Sequence, residues 1–458
     1  MLNFFKKTLR GPLPAALAGL RQPGAPYFMA LASSYERNRY NDGMKDIGSI
    51  SKTAGVPPMT KHQCDICIVG NGAVGKAAAL GLAQMGLRVT LLGMAPGAPA
   101  TAAAESWDTR VYALNHVART LLSTVKVWDA LDPARIAAVD GMSIKGGTDS
   151  STGNLSFDAY SAHVDALAWI VEDRNLNQAL DAALKFASNV RVLHGRVQSM
   201  QADAAAATVQ LESGEAINAA LVVGADGAQS WVRSQCGIGI DYRSYKQRGV
   251  VANFSCERPH HGIAHQWFTE TEGIVALLPL PGQRVSLVWS APEALALSLL
   301  EEPLSQVAAR LSLLAAEQLG QLQPLQPELA QGFPLSLLKT HALVAPRVAL
   351  IGDAGHVVHP LAGHGMNLGF GDVATLIQVL AERGAHRDCG DERLLARYAR
   401  ARKEEILLMQ MTTDGLERLF GFDFGPLRLL RNAGLNLLDK IPVLKRQLMA
   451  HALGRTSE

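Results

Sequence analysis

The segment that most constrains the fold lies at residues 65–92, which read DICIVGNGAVGKAAALGLAQMGLRVTLL. An apolar run precedes a glycine-rich loop, an alanine-rich helical stretch and a second apolar run, a pattern that predicts one strand–helix–strand unit. The loop GNGAVG has G-x-G-x-x-G spacing in the required position between strand and helix. It predicts a dinucleotide site, with Gly70 at the tight turn, Gly72 beside the pyrophosphate and Gly75 where helix and strand pack. A tight turn without a ligand is the simpler alternative.

One expected part of this site is missing. An acidic residue usually ends the second strand, about 20 residues on, and binds the ribose hydroxyls. Gly93 stands there instead, in the segment LLGMAP. Either a backbone group replaces the carboxylate or the ribose is held more weakly.

The rest of the chain predicts two further kinds of structure. Residues 249–290 contain four short β runs, GVVANF, AHQWF, IVALLPL and RVSLVWS, whose spacing is typical of an antiparallel meander. RVALIGDAG (347–355) reads as another buried strand, and the chain after Asp372 as helical. A sheet domain inserted into a discontinuous nucleotide-binding domain is therefore expected. The sequence contains no run of 18 apolar residues, so no membrane-spanning helix is expected.

Composition excludes some classes of protein. The chain has 43 Lys and Arg against 41 Asp and Glu, and no arginine-rich stretch with interleaved aromatics, so no nucleic acid is expected as a partner. Its five cysteines suit reduced thiols. The CDIC sequence at 64–67 lacks the second cysteine pair of a structural zinc site, so we interpret it as part of a strand.

Three motifs in order resemble those of the class A flavoprotein monooxygenases with the para-hydroxybenzoate hydroxylase fold: GNGAVG, GADGAQSWVR (224–233) and GDAGHVVHPLAGHGMN (352–367). DTRVYALN, WIVEDRNLNQAL, LPLPGQRVSLVWS and LRNAGLNLLDKIPVLK are similar to segments of the ubiquinone-biosynthesis hydroxylases within that class. The resemblance implies an α/β fold: a Rossmann-like FAD-binding domain of the GR2 type, an inserted, mainly antiparallel β-sheet substrate domain and a helical C-terminal tail. The implied divisions are 1–60 as a poorly ordered N-terminal extension, 61–136, 160–237 and 334–402 as FAD-binding domain, 137–159 and 238–333 as substrate domain, and 403–458 as C-terminal helices.

The resemblance also implies an activity and a set of site residues. Family members bind FAD and use NAD(P)H and oxygen to hydroxylate a polyprenylated phenol through a flavin hydroperoxide, so no catalytic side chain is named. Relative to the family, Gly93 replaces an acid, His364 a glutamine and Gly355 an alanine. The implied cofactor residues are Gly70, Gly72, Ala73, Val74 and Gly75 at the pyrophosphate, Arg110 against the flavin, Asp226 and Gly227 for FAD and the reduced nicotinamide, Gly352 and Asp353 at the ribityl chain, and Pro360, Gly363, Gly365, Met366 and Asn367 in the loop at the pyrimidine edge.

Asp353 and three nearby histidines could also suggest a metal site. His356 and His359 would share a face only on a helix, and Pro360 with its flanking glycines disfavours a helix there. No carboxylate is evident in the sequence to orient these histidines as metal ligands. A flavin is therefore expected at this motif and no metal.

Several alternatives remain open at this point. The substrate could be a small soluble aromatic acid, or the chain could be a non-catalytic subunit that binds other ubiquinone-biosynthesis proteins. Residues 425–457 hold six Lys or Arg and one Asp among spaced apolar residues. This pattern favours either peripheral membrane contact or packing on the body or a partner subunit. We expect a cytoplasmic protein, peripheral on the inner membrane, or a mitochondrial matrix protein if residues 1–58 are a transit peptide rather than sequence ahead of a start at Met59.

Overall fold

The structure is a computed structural model of the chain, and its described part consists of seven segments. The predicted N-terminal extension, Pro360, Gly363 and the chain beyond Gly421 lie outside the described residues. The segments described are 61–95, 106–146, 153–269, 271–325, 330–359, 364–384 and 386–421.

The strand–helix–strand unit predicted from the glycine-rich loop is present. β1 (Lys61–Val69) leads into α1 (Ala73–Gln84), and the chain returns in β2 (Val89–Gly93), which runs parallel to β1. Gly93 ends β2, as the spacing predicts. Cys64 and Cys67 lie within β1 as buried free thiols, and burial raises the pKa of both.

β1 lies inside an eight-stranded sheet. Its other strands are β8 (Val190–His194), β9 (Val197–Ala202), β10 (Ala207–Leu211), β11 (Ala216–Gly224), β18 (Val344–Ala345) and β19 (Val348–Leu350). The order is β18-β19-β11-β1-β2-β8, and β9 and β10 form a hairpin that pairs with β11. The neighbours from β19 to β8 are parallel, so their carboxyl ends share one edge of the sheet. That edge is where open α/β sheets bind their ligands.

Helices cover one face of this sheet. Ala77, Ala78 and Leu82 of α1 are fully buried in one apolar cluster with Ile66 and Ile68 of β1. The small alanine side chains suit a helix that must lie close to the sheet, and the glycine loop feeds directly into it. Further helices in the same cluster are α2 (His116–Thr124), α4 (Asp173–Phe186), α8 (His364–Ala381) and α9 (Glu392–Gly421).

A small antiparallel sheet stands beside this layer. It consists of β3 (Val111–Leu114), β7 (Ala168–Glu172) and β4 (Ile136–Val139), in the order β3-β7-β4. Short elements complete this part of the fold: the 3₁₀ turns Trp128–Ala130, Pro133–Arg135 and Gly352–Ala354, α3 (Ala159–Ala162) and α5 (Trp231–Gln235).

The second large sheet has nine strands and is mainly antiparallel, as expected from the four β runs. Helices α6 (Glu293–Glu301) and α7 (Leu304–Leu319) pack on one face, against Phe254, Leu287 and Trp289. Its strands are β5 (Gly141–Lys145), β6 (Asn154–Asp158), β12 (Ile240–Cys256), β13 (Ile263–Phe268), β14 (Ile274–Leu280), β15 (Arg284–Pro292), β16 (Leu322–Pro324), β17 (Gln331–Thr340) and β20 (His356–Val357).

The order in this sheet differs from a simple meander. It is β20-β17-β12-β15-β14-β13-β5-β6, with β16 also on β12. β15 therefore separates β12 from β14, and β13 pairs in parallel with β5. The predicted domain boundary at residue 334 falls inside β17. The residues of β17 on both sides of this boundary pair with β12. In the described residues no helix is both long and apolar enough to cross a membrane.

Candidate active site

The three motifs meet at the carboxyl ends of β1, β11 and β19. The Ala225 N–H donates to the Val69 carbonyl oxygen at 2.7 Å, and the Ile351 N–H donates to the Gly224 carbonyl oxygen at 2.9 Å. A β-carbon on Gly70 would lie 2.2 Å from the carbonyl oxygen of Ala225. Parallel pairing of the three strands thus brings together segments that are far apart in the sequence.

The glycine-rich loop has the shape of a phosphate cradle. Gly70 adopts φ +118°, a conformation that favours glycine, and a β-carbon on Gly75 would lie only 2.0 Å from the Gly70 carbonyl oxygen. Apart from its chain neighbours, none of the described residues places a heavy atom within 4 Å of the β-carbon position on Gly72. The first turn of α1 has no acidic residue and no side-chain cap, so its N–H groups are available to an anion. The loop therefore fits a pyrophosphate.

Val74 joins this loop to the third motif. It follows Ala73, which is buried at the start of α1. A β-carbon on Gly352 would lie 3.4 Å from Val74 Cγ1, and one on Gly369 would lie 2.9 Å from Val74 Cγ2. Val74 therefore holds the loop against the 3₁₀ turn that carries Asp353.

The DG element carries its own local structure. The Asp226 carboxylate accepts hydrogen bonds from Ser230 Oγ at 2.6 Å and from the N–H groups of Trp231 at 2.7 Å and Val232 at 3.0 Å. Gly227 adopts φ +83° beside it. The carboxylate thus orders the start of α5, and its contact with FAD or a nicotinamide stays a prediction.

Arg233 is a residue for which the sequence predicted no role. It is buried, and its guanidinium donates to the Ala354 carbonyl oxygen at 3.0 Å and to the Ala228 carbonyl oxygen at 2.8 Å. It therefore ties the second motif to the third.

Asp353 lies on the 3₁₀ turn that follows β19, with its side chain accessible to solvent but crowded by surrounding protein. The surrounding protein displaces water and raises the pKa of its carboxyl; the nearby His356 and Arg110 side chains oppose that rise and Asp372 adds to it. An acceptor in this position suits a hydroxylated chain such as the ribityl group of a flavin.

The start of α8 is anchored to the small sheet. Asn367 Oδ1 accepts from the Asn115 N–H at 2.9 Å, and its Nδ2 donates to the Ala113 carbonyl oxygen at 2.8 Å. In the part of the chain that the structure describes, nothing outside its own helix lies within 4 Å of the β-carbon position on Gly365, and Met366 packs partly against the core. The described residues therefore leave the side of α8 at Gly365 open to a flat ligand.

The loop before Arg110 is held by a buried carboxylate. Glu172 is fully buried and accepts from Arg135 Nη2 at 2.9 Å and from the Asp108 N–H at 2.5 Å. Asp108 Oδ1 in turn accepts from the Arg110 N–H at 3.0 Å. The Arg110 side chain itself is exposed, with its Cζ 5.6 Å from the centre of the Tyr112 ring. The WIVEDR segment thus positions the loop from which Arg110 projects.

Two histidines of the third motif, His356 and His359, have partners within the protein. His356 lies with its Nε2 2.7 Å from Asp372 Oδ2, so a supporting carboxylate exists where the sequence suggested none. His359 is fully buried, with its Nε2 3.2 Å from Gln247 Oε1. Among the described residues, no group of three or more His, Cys, Asp and Glu side chains could hold a metal ion.

The face of the nine-stranded sheet opposite α6 and α7 contacts residues 108–110, the Arg110 loop. Asn253 Nδ2 donates to the Asp108 carbonyl oxygen at 2.9 Å, and Thr109 Oγ1 donates to Gln331 Oε1 at 2.8 Å. Asn253 is paired in register with Ser286 on the neighbouring strand. In the described part of the chain, the buried Asn253 Oδ1 and Ser286 Oγ have no hydrogen-bond partner. This face therefore has unused hydrogen-bonding capacity.

Comparison with known proteins supports these observations. The FAD binding domain family matches residues 63–411. The chain is 34% identical to the ubiquinone hydroxylase UbiL of Rhodospirillum rubrum over 88% of this chain and 92% of that protein. It is 36% identical to the 3-demethoxyubiquinol 3-hydroxylase of Escherichia coli K12 over 86% of this chain and 100% of that protein. Its fold is similar to that of p-nitrophenol 4-monooxygenase PnpA from Pseudomonas putida DLL-E4, with a TM-score of 0.68 and 18% identity over 87% of this chain and 100% of that one.

The matched domain, the hydroxylase relatives and the fold together define an FAD-dependent monooxygenase. The chain belongs to the FAD binding domain family and, within it, to the ubiquinone hydroxylases. The resemblance stated from the motifs is confirmed, and so are the α/β fold class, the cofactor FAD and the enzyme class. The individual site residues stay predictions.

Proposed function

We propose that this enzyme hydroxylates the aromatic ring of a polyprenylated phenol in ubiquinone biosynthesis, with NAD(P)H as reductant and O2 as oxygen donor. The observation that carries the proposal is the match to two ubiquinone-pathway hydroxylases over at least 92% of their length. No observation favours a small soluble aromatic acid as substrate or a non-catalytic role.

FAD, once reduced, supplies the chemistry that activates oxygen and transfers one atom to an electron-rich ring. The chain's own contribution is to bind and orient the cofactor. The N–H groups at the start of α1, next to Gly72, bind the pyrophosphate. Asp353 accepts a hydrogen bond from the ribityl chain. The start of α8, anchored by Asn367, directs its positive end at the negative pyrimidine edge.

The substrate ring is proposed to lie between the Arg110 loop and the nine-stranded sheet. Leu278 and Leu280 of that sheet pack in one apolar cluster with Val139 and Ile170 of the small sheet. Apolar walls exclude water, which would otherwise divert the activated oxygen to peroxide.

A membrane-resident substrate requires membrane contact, so we propose a peripheral enzyme that acts at the cytoplasmic face of the inner membrane, beside other ubiquinone-biosynthesis proteins; the matrix face is the alternative. Leu407, Leu408 and Met411 support this location, because they are exposed at 40%, 48% and 65% along one side of α9. The basic segment 425–457 supports it further through attraction to anionic lipid.

The test uses purified enzyme with FAD, NADPH, ¹⁸O2 and a polyprenylated demethoxyquinol in detergent micelles. We expect one ¹⁸O atom in a new ring hydroxyl, detected by mass spectrometry. NADPH oxidation that yields only hydrogen peroxide would contradict the proposal. A parallel reaction with a soluble phenolic acid tests the alternative substrate class.

A complementation experiment separates catalysis from a purely structural role. In a quinone-deficient strain, wild type and Asp129→Ala should restore ubiquinone, since Asp129 is exposed and outside the site. Asp353→Ala should fail. Restoration by Asp353→Ala would favour a non-catalytic subunit.

A further inference from the structure

The residue at the end of β2 is unusual. Gly93 stands at the position that usually carries the acidic ribose ligand. The space above it is filled by the side chain of Asn71, the residue between the first two glycines of the loop. A β-carbon on Gly93 would lie 2.2 Å from Asn71 Cγ and 2.4 Å from Asn71 Oδ1, closer than real β-carbons approach. The Asn71 side chain and any larger residue at position 93 therefore exclude each other.

The orientation of the Asn71 amide is set by its partner. Asn71 Nδ2 donates to the Met94 carbonyl oxygen at 2.9 Å, and only the nitrogen end of the amide can donate to a carbonyl. The side chain is half-buried. Because its nitrogen is bound to Met94, Oδ1 is the atom that remains to accept a hydrogen bond from a ligand. This acceptor stands over the end of β2, one residue from Gly72.

We propose that Asn71 replaces the missing carboxylate and accepts a hydrogen bond from a hydroxyl of the FAD adenosine ribose, and that Gly93 is glycine because Asn71 needs its space. The inference rests on the FAD site proposed above. The Asn71 contact accounts for how the ribose is held without an acidic residue at position 93. The consequence is a neutral ribose contact, which is weaker than a contact with a carboxylate.

The first experiment measures the dissociation constants of the apoprotein for FAD and for an FAD analogue that lacks both hydroxyls of the adenosine ribose. Wild type should prefer FAD by roughly five- to tenfold, the value of one neutral hydrogen bond. In Asn71→Ala the preference should fall towards one. An equal preference in wild type and Asn71→Ala would overturn the assignment. Wild-type apoprotein that binds neither flavin would instead overturn the proposed function.

The second experiment exchanges the two residues. Gly93→Glu alone should weaken FAD binding, because the new side chain and Asn71 collide. The double variant Asn71→Gly/Gly93→Glu should recover binding at least as tight as that of wild type. Unchanged FAD binding in Gly93→Glu alone would overturn the proposal, and so would a double variant that binds no better than Gly93→Glu.

The matched control is Gly195→Ala, because among the described residues its β-carbon would meet only Leu211 Cδ1, at the ordinary contact distance of 3.6 Å. Its FAD affinity should equal that of wild type, whereas Gly93→Ala should lose affinity. Thermal unfolding of each apoprotein shows whether the variants fold. If Gly93→Glu does not fold, the Asn71→Ala comparison decides, because it only shortens a half-buried side chain.

Discussion

His356 Nε2 lies 2.7 Å from Asp372 Oδ2, and both side chains are buried directly behind the turn that carries Asp353. The same carboxylate oxygen accepts the Gly352 N–H at 2.8 Å, and Asp372 Oδ1 accepts from Arg402 Nε at 2.7 Å. Asp372, on α8, thus joins the turn that carries Asp353 to α9. Burial alone would raise the pKa of Asp372, but attraction and hydrogen bonds from His356 and Arg402 outweigh it and lower that pKa.

Removal of this carboxylate should destabilise the fold strongly. Asp372→Asn removes the buried partner of Arg402 and leaves only Glu405, which is half-exposed, to pair with it; loss of one partner of a buried ion pair costs about 3–5 kcal/mol. Urea unfolding of the apoprotein at pH 7 measures the change. Glu382→Gln is the control, because Glu382 pairs with Arg397 on the surface, where ion pairs contribute little. Equal midpoints for Asp372→Asn and Glu382→Gln would contradict the prediction.

Stability should fall as the pH drops below about 6.5, the ordinary pKa of histidine. Burial lowers the pKa of His265 and of His359 to about 4. Between these values the unfolded chain binds protons that the folded chain does not, so the free energy of unfolding decreases as the pH falls towards 4. Each histidine contributes up to about 1.4 kcal/mol per pH unit.

Urea unfolding at pH 7, 6 and 5 tests this dependence. His265→Gln and His359→Gln should each flatten it, whereas His194→Gln, a change at an exposed histidine, should leave it unchanged. A wild-type protein whose stability is constant from pH 7 to 5 would rule out neutral burial of the two histidines.

The second and third glycines of the loop, Gly72 and Gly75, should respond differently to substitution by alanine. Gly75→Ala places a β-carbon 2.0 Å from the Gly70 carbonyl oxygen, so it should lower both apoprotein stability and FAD affinity. The methyl group of Gly72→Ala meets no atom of the described residues other than its chain neighbours. It should change apoprotein stability by less than about 1 kcal/mol, yet weaken FAD binding because the methyl group occupies the pyrophosphate's space. Thermal unfolding and flavin titration separate the effects; wild-type FAD affinity in Gly72→Ala would exclude close approach of the pyrophosphate.

Features encoded in contiguous residues could be predicted from the sequence. The glycine spacing predicted the turn, α1 and the end of β2, because each of these features depends on residues that are close together in the sequence. The pairing of β12 with β15 rather than β13 could not be predicted, since strand partners are chosen by long-range packing. Contacts of Asp372 with Arg402 and of Glu172 with Arg135 join separate elements, so no local pattern signals them. The carboxylate that supports His356 was missed for the same reason, since Asp372 lies on α8.

The exposed side of α9 should govern membrane binding. Leu407, Leu408 and Met411 project from a helix whose opposite side is buried through Ile406 and Gln410. The triple serine variant at those three exposed positions should lower co-sedimentation with anionic vesicles by at least about tenfold, because three apolar side chains no longer enter the lipid. Leu313→Ser is the control: Leu313 is 85% exposed on α7, so its replacement should likewise leave the fold intact.

Deletion of residues 422–458 should weaken membrane binding chiefly at low salt, because basic residues act through screened electrostatics. If the triple variant sediments like wild type while the deletion does not, contact is through the basic segment and not through α9.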